Sequence, residues 1–240
     1  MWLERFPGAD ELGSALAAEI LELYAQRDGQ RFLLGCPGGR SLLTTYAALA
    51  AADADLSDVV IVMMDEYVVD GVAPPVEAHF SCAGFAQREI AGPLRVPSEQ
   101  VWLPDPAAPE LYDARIEAAG GVDLFLLASG ASDGHVAFLP PGSPREGRTS
   151  VLELAESTRR DNVATFPDFE SVEEVPRHGV SVGVATILAA RRLRLVLHGA
   201  GKREAVARLL ALRRFDPAWP ASLVRAHEDS RMLVDKEALP

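Results

Sequence analysis

Four short clusters carry residue types that could do chemistry. Asp133-Gly134-His135 follows an apolar run and a Gly-containing loop, so the backbone can turn tightly and aim both side chains into one cleft. Imidazole titrates near neutrality and moves protons, and the carboxylate either orients it or acts separately. The plainer alternative is a structural histidine. Met64-Asp65-Glu66-Tyr67 places two adjacent carboxylates just after a second apolar run. Consecutive residues leaving a strand point to different sides, so one of the two should face a cleft, where partial desolvation tunes a carboxylate as a general base. A helix cap or a surface ion pair is the competing reading.

Gly38-Gly39-Arg40-Ser41 and Gly199-Ala200-Gly201-Lys202 each lie between an apolar run and a helical pattern. Glycines let the backbone approach an anion, and a helix start supplies unpaired N–H groups. Lys202 at a helix start opposes the helix dipole unless an anion is shared, which favours a phosphate ligand. A tight turn with Ser41 as N-cap is the alternative for the first loop. Neither loop is a Walker sequence or a complete dinucleotide fingerprint, which disfavours ATP and NAD. Cys36 beside the first loop reads as a small buried residue. The five histidines, at 79, 135, 178, 198 and 227, have no ligand spacing and the two cysteines are far apart, so no metal is expected.

The elements that must position these clusters alternate. Leu12, Leu16, Ile20 and Leu23 mark a first helix, with Asp28-Gly29 as its stop. Arg31–Gly35 reads as a strand, Leu42–Ala52 as a helix, and Asp58–Met64 as a second strand followed by a loop rich in Val, Pro and Gly. An amphipathic segment covers Phe80–Ile90. Val122–Ala128 and Leu193–His198 are further strands, the latter followed by a helix to about Arg214. Nearly all-apolar strands alternating with helices predict an α/β fold, a mainly parallel sheet with helices on both faces, in one domain spanning 1–240. Ligands in such sheets bind beyond the carboxyl ends of the strands, where the four clusters sit.

The 240 residues hold 23 Lys and Arg against 35 Asp and Glu, a formal charge of −12. So acidic a chain is unsuited to nucleic acid or an anionic membrane, but a few converging basic groups still suit a small anionic metabolite. Two cysteines, no basic-then-apolar leader and no transmembrane-length apolar run predict a cytoplasmic protein. The apolar stretch Val68–Val76 is read as a lid or as an interface in a homo-oligomer.

Taken together, Gly38–Ser41, Met64-Asp65-Glu66-Tyr67-Val68, Asp133–Phe138, Pro141-Gly142-Ser143, Arg148-Thr149, Val182–Leu188, Gly199–Lys202, Pro220–Leu223 and Asp235 resemble, in order and over nearly the whole chain, the glucosamine-6-phosphate deaminase/isomerase and 6-phosphogluconolactonase superfamily. The resemblance implies a Rossmann-like sheet, a phosphosugar in the cleft, and neither metal nor nucleotide cofactor. In the deaminase-type reaction it implies that His135 opens the sugar ring and Asp65 moves the proton between C2 and C1. Asp133 is then a further active-site carboxylate, and Gly38, Gly39, Arg40, Ser41 and Lys202 hold the phosphate. In the lactonase-type reaction His135 instead activates water.

Two positions depart from the deaminase pattern. Pro140 stands where a glutamate five residues after the histidine is expected, and Ala164 stands where a phosphate-binding arginine is expected. Arg40, Arg148 and Arg177 are the candidate substitutes. The lactonase branch lacks that glutamate but carries an arginine where this chain has Tyr67. Isomerase or deaminase is the leading expectation, lactonase the second, and a non-catalytic sugar-phosphate sensor the third.

Overall fold

The computed structural model describes every residue except Asp28 and Pro167, so the expected helix stop at Asp28 lies outside the described residues. The first helix, α1, spans Ala9–Ala25 and buries Leu12, Leu16 and Ile20. Seven strands form a parallel sheet: β1 (Trp2–Phe6), β2 (Phe32–Cys36), β3 (Val59–Met63), β5 (Val101–Trp102), β6 (Leu124–Ala128), β9 (Leu193–Leu197) and β10 (Ser230–Asp235). Their order is β1-β10-β9-β6-β2-β3-β5. The expected α/β fold is therefore present, with β1 and β10 added at one edge and β5 at the other.

Every residue of β2, β3 and β9 is buried because helices cover both faces. Alternate side chains serve two cores. Phe32, Leu34, Val59, Ile61, Leu124 and Leu126 pack with α1 and with α2 (Leu43–Ala51). Leu33, Val60, Val62, Phe125, Leu127 and Leu195 pack on the other side with α5 (Glu110–Ala118), α7 (Val184–Leu188) and α8 (Arg203–Ala211). Arg194 of β9 is fully buried beneath α1, where Glu19 accepts two hydrogen bonds of 3.0 Å from its Nε. Pairing a buried guanidinium in this way offsets its desolvation.

Several expectations change. The residues after β3 do not form a loop at once: only Met64 separates β3 from β4 (Asp65–Val68), the first strand of a small antiparallel sheet with β8 (His178–Ser181) and β7 (Ser150–Glu153). Tyr67 drives this. Its buried ring packs against Phe80, Phe138 and Phe166. The Val68–Val76 stretch is mixed, since Val68 is buried, whereas Val69 and Val72 are exposed and close a tight turn through Asp70 and Gly71. The 80–90 segment is helical but broken in type, with α3 (Cys82–Phe85) running into a π-helical stretch at Ala86–Ala91 and then α4 (Gly92–Leu94). Helix α8 stops at Ala211, three residues before the expected end, because Leu212 is extended. No helix among the described residues is long and apolar enough to cross a membrane.

From β2 the chain proceeds to β3 and β5 on one side, then returns to β6 on the other. The loops leaving β2 and β6 diverge at that reversal, which opens a crevice beyond their carboxyl ends.

Candidate active site

A cleft of about 470 Å³ occupies that crevice. Its walls include Gly38, Gly39, Arg40 and Ser41 after β2, Asp65 at the start of β4, His135 after β6, and Lys202 after β9. Seven of the eight residues read from the sequence thus share one cleft. The eighth, Asp133, stands behind His135.

The adjacent carboxylates diverge as strand geometry requires. Glu66 points away and accepts four hydrogen bonds, from the Tyr67, Cys82 and Ala83 N–H groups at 2.8–2.9 Å and from the Ser81 hydroxyl at 3.2 Å. It caps α3 and joins that helix to β4. Burial raises the Glu66 carboxyl, with the four donors opposing the rise. Asp65 faces the cleft and is almost fully buried, at 5% exposed. Its one protein donor among the described side-chain contacts is the Cys82 thiol, at 3.6 Å from Oδ1. Burial, helped by the neighbouring Glu66 charge, pushes Asp65 up to about 7. A carboxylate tuned this close to neutrality is matched to taking and returning a proton.

His135 Nδ1 lies 2.8 Å from Asp133 Oδ1, which also accepts the His135 N–H at 3.0 Å. Ser157 of α6 (Glu156–Thr165) donates its hydroxyl to the other Asp133 oxygen. Burial alone would raise Asp133, but the hydrogen bond and charge of His135, with the Ser157 hydroxyl, outweigh it and hold the carboxyl well below the usual carboxylate range. An ionised Asp133 requires a proton on Nδ1, which leaves Nε2 of the neutral ring as the base. Asp133 therefore orients His135.

Two glycines make room for this pair. A Cβ on Gly130 would stand 2.3 Å from His135 Nδ1 and 2.5 Å from Asp133 Oδ1. Gly134 has φ +69°, its carbonyl accepts the Ala221 N–H at 2.7 Å, and a Cβ there would stand 2.3 Å from Trp219 Cδ2. Gly134→Ala combines left-handed backbone with overpacking, so it is expected to cost roughly 2–5 kcal/mol. Urea unfolding of the variant measures that loss.

The third group is an anion cradle. Gly39 has φ +89°, and the N–H groups of Gly38 and Gly39 donate to no protein atom among the described residues. Lys202 Nζ donates to the Ser129 carbonyl at 2.7 Å. Burial lowers Lys202, and Arg40 lowers it further against the opposing charges of Asp161 and Asp133. Two cations beside free N–H groups line one end of the cleft with donors suited to an anion, with Asp161 on the same wall. His198, which lines the same cleft, binds the Ser41 carbonyl through Nε2 at 3.2 Å and ties the β9 end to the β2 loop. Asp235 accepts the Gly199 N–H at 3.0 Å and steadies the Lys202 loop.

Of the three arginines considered as substitutes, Arg40 alone lines the cleft. Arg148 instead pairs with Asp113 and Glu117 of α5, and Arg177 is exposed at the start of the small sheet. Ala164 does line the cleft, and Arg160, one turn earlier on α6, lines it too. Pro140 is outside the cleft wall, where its carbonyl accepts the Ser143 hydroxyl at 2.7 Å. Sequence reading missed Ser157, Cys82, His198 and Asp161 as site residues. His198 alone carried a signal, closing the apolar run before Gly199.

An open parallel sheet whose switch-point crevice joins a near-neutral carboxylate, an Asp–His pair and two Gly-rich loops defines a Rossmann-like fold suited to proton transfer on an anionic ligand. Comparison with known proteins is more specific. The family described as glucosamine-6-phosphate isomerases/6-phosphogluconolactonase matches residues 7–233, and the chain belongs to that family. A glucosamine-6-phosphate deaminase from Bacillus pumilus is 32% identical over 97% of this chain and 96% of its own length. One from Arthrobacter sp. is 36% identical over 97% and 89%. A monomeric glucosamine-6-phosphate deaminase structure superposes with a TM-score of 0.90, at 25% identity over 99% of this chain and 98% of its own. The 6-phosphogluconolactonase of Trypanosoma cruzi shares the fold, with a TM-score of 0.74 and 17% identity over 99% and 95%.

Proposed function

We propose that this protein is a glucosamine-6-phosphate deaminase-type enzyme that moves a proton between C2 and C1 of a hexose 6-phosphate. The observation that carries the reading is the buried, near-neutral Asp65 in one cleft with the His135–Asp133 pair and the Arg40–Lys202 cradle. The 25% identical deaminase structure and the deaminases of 32–36% identity support the amino sugar as substrate.

The phosphate sits against Gly38–Ser41 and Lys202, and the opposite end of the sugar reaches the carboxylate and the imidazole. His135 Nε2 accepts the C1 hydroxyl proton as the ring opens and returns it to the ring oxygen. Ionised Asp65 then takes the C2 proton while the C2 ammonium gives a proton to the C1 oxygen, leaving an enol at C1 with a neutral amine on C2. Returning the proton from Asp65 to C1 leaves a protonated imine at C2. Water adds to the protonated imine, and the carbon becomes a ketone as ammonia departs with the remaining proton. A phosphorylated sugar does not cross membranes unaided, which supports a cytoplasmic setting.

One observation favours a second reading. Pro140 gives His135 no carboxylate partner beyond Asp133, and an Asp–His pair with a free Nε2 is also a base for water, as lactone hydrolysis needs. The test offers glucosamine 6-phosphate and 6-phosphogluconolactone to the same preparation. Ammonia and fructose 6-phosphate in equal amounts are the expected result. Lactone loss above its spontaneous rate, without ammonia, would replace the first reading with the second.

A further inference from the structure

The two adjacent carboxylates of β4 are treated very differently by the residue that touches both. Cys82 opens α3. Its backbone N–H donates to Glu66 at 2.9 Å, and its thiol donates to Asp65 at 3.6 Å. Glu66 has three further donors, all N–H or O–H. Asp65 has only the sulfur among the described side-chain contacts. Cys82 is 3% exposed, and its side chain forms part of the cleft wall beside Asp65.

A thiol is a weak hydrogen-bond donor. A hydroxyl in its place would stabilise the ionised carboxylate more strongly and make it a weaker base. An alanine would leave the carboxylate free to turn. We infer that Cys82 is a positioning residue for the proposed proton transfer, its thiol fixing the Asp65 carboxylate at the cleft wall while withdrawing little of its basicity. This rests on Asp65 being the proton carrier proposed above.

The thiol stays in its donor form, because burial first and then the charges of Glu66 and Asp65 push Cys82 well above its usual range. It is therefore no nucleophile. The other titratable groups that sense the Asp65 charge are Glu66 beside it, Tyr46 of α2, Tyr67 of β4 and Tyr112 of α5. His135 faces the same cleft. Burial raises all three tyrosines well above their ordinary range, so they stay neutral through the working pH window. Glu66 also senses the residue 82 side chain, so its carboxyl is followed in the same carbon-13 spectra as that of Asp65 and the two movements are separated.

The experiment compares wild type, Cys82→Ser and Cys82→Ala in two readouts. The first is the Asp65 side-chain carboxyl titration, followed by carbon-13 NMR on the substrate-free protein. The second is the pH profile of kcat/KM with glucosamine 6-phosphate. Cys82→Ser is expected to move both the Asp65 midpoint and the acid limb to lower pH, with kcat on the plateau reduced several-fold. Cys82→Ala is expected to move both to higher pH and to lower kcat with KM little changed. Identical Asp65 midpoints in all three proteins would overturn the inference. If midpoints move as expected but no variant, wild type included, exchanges or deaminates the sugar, Cys82 still positions Asp65 and the functional reading is what fails. Loss of kcat without movement of either midpoint would assign Cys82 to packing alone and would also overturn the inference.

Discussion

Asp65→Asn is expected to lower kcat by ~10²–10⁴-fold while making the folded protein harder to unfold. The activity loss follows because a carboxamide cannot take a proton from C2. The stability gain follows from burial. With its carboxyl raised to about 7 in the native state and near 3.8 when unfolded, Asp65 binds more protons folded than unfolded across that window. Wild type therefore loses stability as pH rises from about 4 to about 7, by on the order of a few kcal/mol. The asparagine variant has no such term. Its melting temperature should match wild type near pH 4, exceed it increasingly up to pH 7, and keep a constant lead above that. A variant that is inactive and also less stable at pH 8 would show that the Asp65 charge is accommodated, contrary to its single weak donor.

Asp133→Asn carries the second large effect, with the opposite sign in stability. The amide keeps its oxygen where Oδ1 now accepts both His135 N–H groups and turns its NH2 to the Ser157 hydroxyl, so the imidazole keeps its tautomer but loses the negative charge that strengthens Nε2 as a base and stabilises the imidazolium. A loss of ~10²–10⁴-fold in kcat is expected. Asp133 is held low in the native state, so it contributes stability that is present above its unfolded value near 4 and disappears as pH falls through the lower folded one. The variant should be less stable than wild type at pH 7, by roughly 1–3 kcal/mol for hydrogen bonds to a charged group, and the difference should close on acidification. Two carboxylates in one site thus give crossed stability profiles. Thermal melts of both variants from pH 3 to pH 8 read them side by side.

The central strands were legible because a strand covered on both faces must be almost wholly apolar, and Asp58–Met64, Val122–Ala128 and Leu193–His198 are, with Asp58, Asp123, Arg194 and His198 the exceptions. The clusters that follow them were legible for a related reason: glycines and charges after an apolar run mark the carboxyl end of a parallel strand. Edge and secondary strands offered no such contrast. β7 reads Ser150-Val151-Leu152-Glu153 and is largely exposed, and β4 begins with two carboxylates, so neither carries the pattern of a covered strand. That one of Asp65 and Glu66 would face the cleft followed from strand alternation. Which one did not, since it is decided by Ser81, Cys82 and Ala83 reaching Glu66 from α3. Asp133 as orienter of His135 was one of two open roles, and the Ser157 hydroxyl that helps fix it arrives from a helix more than twenty residues later. Cys82, Ser157 and Asp161 enter the site only through tertiary packing and have no local signature.

Transfer of the C2 proton by Asp65, with His135 opening the ring, is tested most directly by incubating the protein with glucosamine 6-phosphate in heavy water and following the C2 proton by NMR. The account predicts that this signal is lost to deuterium at an enzyme-dependent rate, and that Asp65→Asn and His135→Ala each abolish the exchange. A persistent C2 proton in the presence of bound sugar, or exchange that survives in Asp65→Asn, would contradict it.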